Sequence, residues 1–179
     1  MSAARPPLPA HPRAAALVQQ LGLQPHPEGG WYAEVFRSAL QVTAAPGPAH
    51  PPTATSPPLR AALTSIYFLL PEGTVSRWHV VQSDELWCHL EGAPLALYQF
   101  DADSERVTEQ QLGPVDATLR PQATVPATIW QAARSLGGYS LAACMVAPGF
   151  EFADFRLMSR QDEAHARLQR VAPAWADWV

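Results

Sequence analysis

Between Ala62 and Ala147 the chain is cut repeatedly by turn residues into short runs of β-branched, aromatic and aliphatic side chains. Residues 63–70 stop at Pro71-Glu72-Gly73; 76–81, 85–90 and 94–100 follow, the last closed by Asp101-Ala102-Asp103. Residues 106–112, 124–125, 129–133 and 139–147 complete the series, and residues 31–37 alternate in the same manner further upstream. Short strands at regular spacing, each ended by a turn signal, lead to a β-sandwich or barrel. With 179 residues the chain fits one domain with a sizeable core.

Outside the strands the pattern changes. Residues 1–13 read as a flexible Pro-rich arm, and 14–21 as a short helix with Leu17, Val18 and Leu21 on one face and Gly22 as its stop. Pro25-His26-Pro27-Glu28-Gly29-Gly30 is a turn cluster. Residues 42–58, rich in Pro, Ala and Thr, form a loop within the domain, with an ordered lid as the alternative. Residues 159–179 read as a C-terminal helix and tail, with Ser159 and Asp162 as reciprocal caps of a helix over 160–170. The division is therefore arm, one domain over 14–158, and helical tail.

Composition removes several functions. A formal net charge of −4 supplies no basic field for nucleic acid. All twelve basic residues are Arg, so no lysine forms a Schiff base. No apolar run reaches membrane-span length, and the N-terminus lacks an apolar signal core. Cys88 and Cys144 make no disulfide framework, and the expected compartment is the reducing cytoplasm. Phosphate-cradling glycine loops, Cys-x-x-Cys pairs and a serine elbow are absent from the sequence.

Chemistry concentrates between Gly73 and Gly92, where His79, Glu85 and His89 are bracketed by glycines. Imidazole beside carboxylate serves proton transfer or metal ligation. Residues two apart on a strand share a face, so Glu85, Trp87 and His89 point one way. His89 stands about 13 Å from Glu85 along an extended strand, too far to share an ion with it at distances of about 2 Å. It is placed deeper in the pocket, with Trp87 as an apolar wall between. By the same parity Arg77 accompanies His79, Trp78 packs on the opposite side, and Asp84 faces away from Glu85 as a structural cap.

The spacing Gly73-(five)-His79-Val80-Val81-(three)-Glu85-(six)-Gly92 resembles the first cupin motif, Gly-x5-His-x-His-x3-Glu-x6-Gly. Several segments are similar to the fifth cupin family: residues 25–32, 65–70, 83–87, 125–130 and 147–150. The resemblance spans roughly residues 15 to 158 and implies an all-β double-stranded β-helix (cupin jelly roll) with short N- and C-terminal helices. It also implies a homodimer, and it brings no particular reaction. Two departures stand out. Val81 occupies the position of the motif's second histidine. Pro126-Ala127-Thr128-Ile129-Trp130-Gln131 replaces Pro-x-Gly-x2-His, so Gln131 stands in place of the last histidine and Thr128 in place of the glycine.

The expected function is therefore binding of a small molecule. One reading, implied by resemblance to the sugar-nucleotide epimerases of the cupin superfamily, is an epimerase- or isomerase-like enzyme acting on a carbonyl or sugar-like substrate. It takes His79 as base, Glu85 as its partner and His89 or a tyrosine as acid, with Trp87, Gln131, Tyr67, Arg77 and Tyr98 toward the substrate. A second reading places a divalent ion (Zn, Mn, Fe or Ni) on His79, Glu85 and Gln131. A third is a binding module without catalysis. Blander roles accompany these: His79 as a core histidine, Tyr67 and Tyr98 as core aromatics, and Arg77, Arg37 and Arg60, candidates for meeting an anionic substrate, as solvated surface arginines. His26 and Glu28 read as loop-structural, Cys88 as packing, and His11, His50 and His165 as surface residues without signal.

Overall fold

The structure is a computed structural model that describes residues 7–44 and 58–179. Most of the arm's first residues, His50 and the interior of the Pro-rich loop lie outside the described residues. In chain order the elements are α1 (Pro12–Gln20), β1 (Gln24–Pro25), β2 (Trp31–Arg37), β3 (Gln41–Thr43), β4 (Leu59–Ala61), β5 (Thr64–Pro71), β6 (Val75–Val81), β7 (Asp84–Gly92), β8 (Leu95–Asp101), β9 (Arg106–Leu112), β10 (Gln122–Val125), β11 (Trp130–Ser135), β12 (Tyr139–Ala147), a 3-10 turn (Phe152–Asp154), β13 (Phe155–Leu157), α2 (Glu163–Val171) and α3 (Pro173–Ala176). Among the described residues no helix is long and apolar enough to cross a membrane.

Two antiparallel sheets face each other as a jelly roll, in the orders β1-β2-β5-β12-β7-β10 and β13-β6-β11-β8-β9; β3 and β4 pair separately. Alternation along each strand divides the apolar residues into three layers. Between the sheets lie Phe68, Leu70, Trp87, Leu95, Leu97, Leu112, Val125 and Cys144. The outer face of the second sheet, with Trp78, Val80, Tyr98, Phe100 and Trp130, is covered by Leu168 of α2 and Ala176 of α3. Helix α1 covers Trp31, Leu69, Tyr139 and Leu141 on the outer face of the first. The C-terminal segment is fastened by Trp78, whose backbone N–H donates to Trp178 O (2.9 Å) and whose ring Nε1 donates to Trp175 O (2.8 Å).

Three β-bulges interrupt the alternation, and each shifts which residues face inward. In β2, Glu34 pairs with Ile66 but Phe36 with the adjacent Ser65; the extra residue turns Arg37 to the face of Tyr32 and Glu34, and leaves Val35 and Phe36 exposed. In β6, Gln131 pairs with His79 and Ala133 with Ser76, so Ser76 and His79 share the inner face. In β7 the shift falls between His89 and Glu91, beyond the Glu85–Trp87–His89 stretch.

Some boundaries differ from the sequence expectation. Helix α2 begins at Glu163, because Ser159 and Asp162 close a separate turn: the Ser159 N–H donates to Asp162 Oδ2 (2.8 Å) and the Asp162 N–H to Ser159 O (3.0 Å). His165 is buried rather than on the surface, with Nε2 3.2 Å from Ala176 O. Thr128, standing where the motif has glycine, takes a left-handed φ of 68°, and its N–H donates to Val81 O (2.9 Å). That conformation costs a residue with a side chain about 1–2 kcal/mol, and Thr128 is exposed, so its side chain offsets little. Thr128→Gly, after the entropy glycine adds to the unfolded chain, is expected to raise stability by about 0.5–1 kcal/mol, or about 1–4 °C in Tm. Thermal unfolding checks this; a lower Tm overturns it.

Candidate functional site

One end of the sandwich interior is not filled by side chains. It leaves a cavity of about 160 Å3 lined, among others, by His26, Glu28, Tyr32, Phe68, His79, Val81, Glu85, Trp87 and Cys144. Strands β6 and β7 deliver His79 and Glu85. His26 and Glu28 come from the turn ahead of β2, which is closed by the His26 N–H donating to Gly30 O (3.1 Å) and the Gly29 N–H to His26 O (3.0 Å). The turn is bound to β6 by the Arg77 N–H donating to Glu28 O (2.9 Å) and by Arg77 Nη2 donating to Pro27 O (2.6 Å).

Glu28 is the hub. Its Oε1 accepts from Ser76 Oγ (2.7 Å), and its Oε2 lies 3.2 Å from His26 Nδ1 and 3.4 Å from His79 Nε2. All three side chains are nearly solvent-free. His79 Nδ1 is 2.8 Å from Arg77 O. A carbonyl only accepts, so Nδ1 carries a proton and Nε2 meets Glu28 favourably as N–H. Both nitrogens of His79 are thereby committed. The Glu28 N–H can donate to His26 Nδ1 (3.4 Å) in the other tautomer, but the Glu28 carboxylate is nearer at 3.2 Å and charged, which favours Nδ1–H. Among the described residues His26 Nε2 has no hydrogen-bond partner, and in this tautomer it brings a lone pair to the cavity.

The second carboxylate is held differently. Gln131 Nε2 donates to Glu85 Oε2 (2.6 Å), and Gln131 Oε1 accepts from Trp87 Nε1 (2.9 Å), so the amide is fixed at both ends. Burial pushes the Glu85 carboxyl up and Glu28 adds to this, while His79, Gln131 and His26 offset only part. Burial also pushes Glu28 upward, but there His79, His26 and Ser76 prevail and its carboxyl lies below the usual range. Burial, reinforced by Glu85 and Glu28, holds the Cys144 thiol well above its ordinary value. The cavity thus combines an ionised carboxylate with one biased toward its acid form.

Its mouth is formed by Phe150, Glu151, Phe152 and Phe155 opposite Arg37. Arg37 donates from Nε and Nη2 to Glu34 (3.0 and 2.8 Å), from Nη1 to Glu151 Oε1 (2.7 Å) and from Nη2 to Phe150 O (3.2 Å). The 3-10 turn is held from below by the buried Arg60–Asp154 pair, 2.7 Å apart.

Of the residues singled out in the sequence, His79, Glu85 and Trp87 line the cavity, and Gln131 supports Glu85 and Trp87 from behind. The carboxylate in ion-pair distance of His79 is Glu28 rather than Glu85, because the 26–30 turn folds in over β6. His89 keeps its parity but lies past Trp87, outside the cavity lining, with Nε2 3.0 Å from Ala93 O. Arg77 is turned away by the bulge in β6 and holds Pro27 O. Tyr67 packs in the layer beneath α1, and Tyr98 is buried under the C-terminal segment, its ring 4.7 Å from that of Trp175. Asp84 Oδ1 accepts from the Ala127 N–H (2.8 Å), the capping role expected of it.

The trio His79, Glu85 and Gln131 does not fit a divalent ion: His79 uses both nitrogens, and Gln131 both ends of its amide. Among the described residues no three of His, Cys, Asp and Glu are grouped as ligands of one ion. The residues missed from sequence are His26, Glu28, Cys144 and the aromatic mouth. The Pro/Gly turn around His26 and Glu28 reads as punctuation, and nothing local shows that it folds inward.

Comparison with known proteins bears on the family and the fold. A family model described as Cupin superfamily (DUF985) matches residues 15–158. A hypothetical protein from Leishmania major is 29% identical with a TM-score of 0.72, over 92% of this chain and 94% of that one. A protein from Shewanella oneidensis is 34% identical with a TM-score of 0.68, over 89% of each chain. A variant of oxalate decarboxylase from Bacillus subtilis, 15% identical with a TM-score of 0.52, is matched over 75% of this chain and 29% of that one; this is a likeness of fold. No curated protein matches the chain.

Proposed function

The chain belongs to the Cupin superfamily (DUF985) family, and from that premise we propose that it binds a small molecule between its sheets and moves a proton on it next to a carbonyl, as an isomerase or epimerase does. The observation that carries this reading is the geometry of one cavity: the buried Glu28 carboxylate stands 3.2 Å from His26 Nδ1 and leaves Nε2 to the space, while the buried Glu85 is held by Gln131 Nε2 at 2.6 Å; their surroundings favour the ionised form of Glu28 and the acid form of Glu85. A carboxylate kept ionised can stand behind a histidine base, and one biased toward its acid form can serve as the proton donor.

In this proposal the base is His26 Nε2. Glu28 holds the opposite ring nitrogen as N–H and steadies the imidazolium formed on protonation, the standard use of a carboxylate behind a histidine. His79, proposed from sequence as the base, becomes the positioning residue that keeps Glu28 ionised. Glu85, steadied by Gln131 and presented beside Trp87, donates the proton to the carbonyl oxygen as the enol forms and recovers it afterwards. The donor set leads to acid–base chemistry in preference to a divalent ion, because Gln131 and His79 are already saturated by protein partners. A homodimer stays part of the proposal on the family's account, and a reducing cytoplasm on account of two cysteines that make no disulfide framework.

Hydrogen–deuterium exchange followed by NMR tests it. The protein is incubated in D2O with ring-sized ketones and aldehydes, with and without an amine. The expected result is catalysed exchange at the carbon next to the carbonyl, reduced about 100- to 10,000-fold in His26→Ala with the fold retained by circular dichroism. Exchange undiminished in His26→Ala, or absent for every compound, overturns the reading.

A further inference from the structure

The charge of the cavity lining is lopsided. Four carboxylates, Glu28, Glu34, Glu85 and Glu151, line it beside a single guanidinium, that of Arg37. Arg37 is spent on Glu34, Glu151 and the Phe150 carbonyl. His79 is spent on Arg77 O and Glu28, and His26 gives its Nδ1 to Glu28. Among the described residues lining the cavity no cationic group is left to receive a phosphate or carboxylate. What faces the space is instead acceptor-rich: the His26 Nε2 lone pair and the Glu85 carboxyl.

Aromatic rings line the cavity beside these carboxylates. Tyr32, Phe68 and Trp87 stand within, and Phe150, Phe152 and Phe155 at the mouth. Rings beside carboxylates stabilise a desolvated cation through their quadrupoles, most strongly with Trp. Size narrows the occupant further. A cavity of about 160 Å3 is close to the roughly 150 Å3 apolar cavity that admits benzene.

Building on the reading of this cavity as the ligand site, we infer that it takes a small organic cation, an ammonium or amidinium compound of about benzene's bulk, and rejects phosphorylated and carboxylated compounds. The ligand's own charge favours the ionised form of Glu85; the cationic N–H groups donate to that carboxylate and to His26 Nε2, and the apolar body rests on Phe68 and Trp87.

Isothermal titration of the full chain at pH 7 and low salt, with benzylammonium, benzyl alcohol, benzoate and inorganic phosphate, tests this. These organic probes have nearly one shape and three charges. Benzylammonium is expected to bind at least about tenfold tighter than benzyl alcohol through its charge, with benzoate and phosphate giving no binding. Glu85→Gln is expected to weaken benzylammonium about tenfold with the fold retained by circular dichroism and thermal unfolding, which separates loss of charge recognition from loss of fold. Benzoate or phosphate binding as tightly as the cation, equal affinities for all three organic probes, no binding of any probe, or an unchanged benzylammonium affinity in Glu85→Gln each overturn the inference. Cation binding without hydrogen exchange refutes the proposed chemistry alone; exchange without cation preference refutes the charge selectivity alone.

Discussion

Glu28→Ala is expected to lower the stability of the protein by about 3–5 kcal/mol at pH 7, the usual cost of removing one partner from a buried ionic cluster. The reason lies in what is stranded: His26 Nδ1, His79 Nε2 and Ser76 Oγ all lose their common acceptor. The effect carries a pH signature. The folded-state value of Glu28 is depressed below its ordinary 4.5, so its ionic contribution is fully present above that value and lost as pH falls through the folded one. The gap between wild type and Glu28→Ala in urea unfolding should therefore be constant from neutral pH to about 5 and shrink below it. A gap under about 1 kcal/mol at pH 7 contradicts the hub role.

Glu28→Gln separates chemistry from folding at the same position. A glutamine keeps an oxygen for Ser76 Oγ, and its amide N–H can donate to a neutral His79. It can no longer accept from His26 Nδ1–H, so the His26 proton moves to Nε2 and the lone pair leaves the cavity. Exchange activity is expected to fall about 100-fold or more, with most of the stability kept.

Gly29→Ala is expected to cost about 3 kcal/mol or more. Gly29 has φ 110°, and a Cβ there would lie well inside contact distance of the Val75 carbonyl oxygen. Neither atom belongs to a flexible side chain, so the turn or the start of β6 has to shift. The displaced turn is the one that carries His26 and Glu28, so ligand binding should weaken along with stability. Thermal unfolding and titration of the same preparation read both effects; stability within about 1 kcal/mol of wild type would show that the turn yields at little cost.

These expectations rest on a segment whose role was not legible in the chain. Pro25 to Gly30 has turn chemistry, and a turn near the surface is the ordinary reading of it. Its inward fold depends on hydrogen bonds to Arg77 and Ser76, residues almost fifty positions away, which no local pattern encodes. Arg37 and Arg77 show the same limit. Strict alternation places Arg77 beside His79 and Arg37 opposite Tyr32, and a single bulge in each strand reverses both.

The sequence by itself determined the strand series, the jelly-roll family, the packing of Trp78 away from His79 and the common face of Glu85 and Trp87. The family follows from the resemblance of the Gly73–Gly92 spacing and of five segments to cupin motifs, the strand series from its turn signals, and the two facings from the two-residue period of a strand. Only the tertiary structure decided that Glu28 is the carboxylate within reach of His79, that His26 is the imidazole with a nitrogen to spare, and that Arg37 stands at the mouth. Bulges and an inward turn are settled by what the opposing strand and the distant backbone can accept, so they exist only once the two sheets have closed on each other.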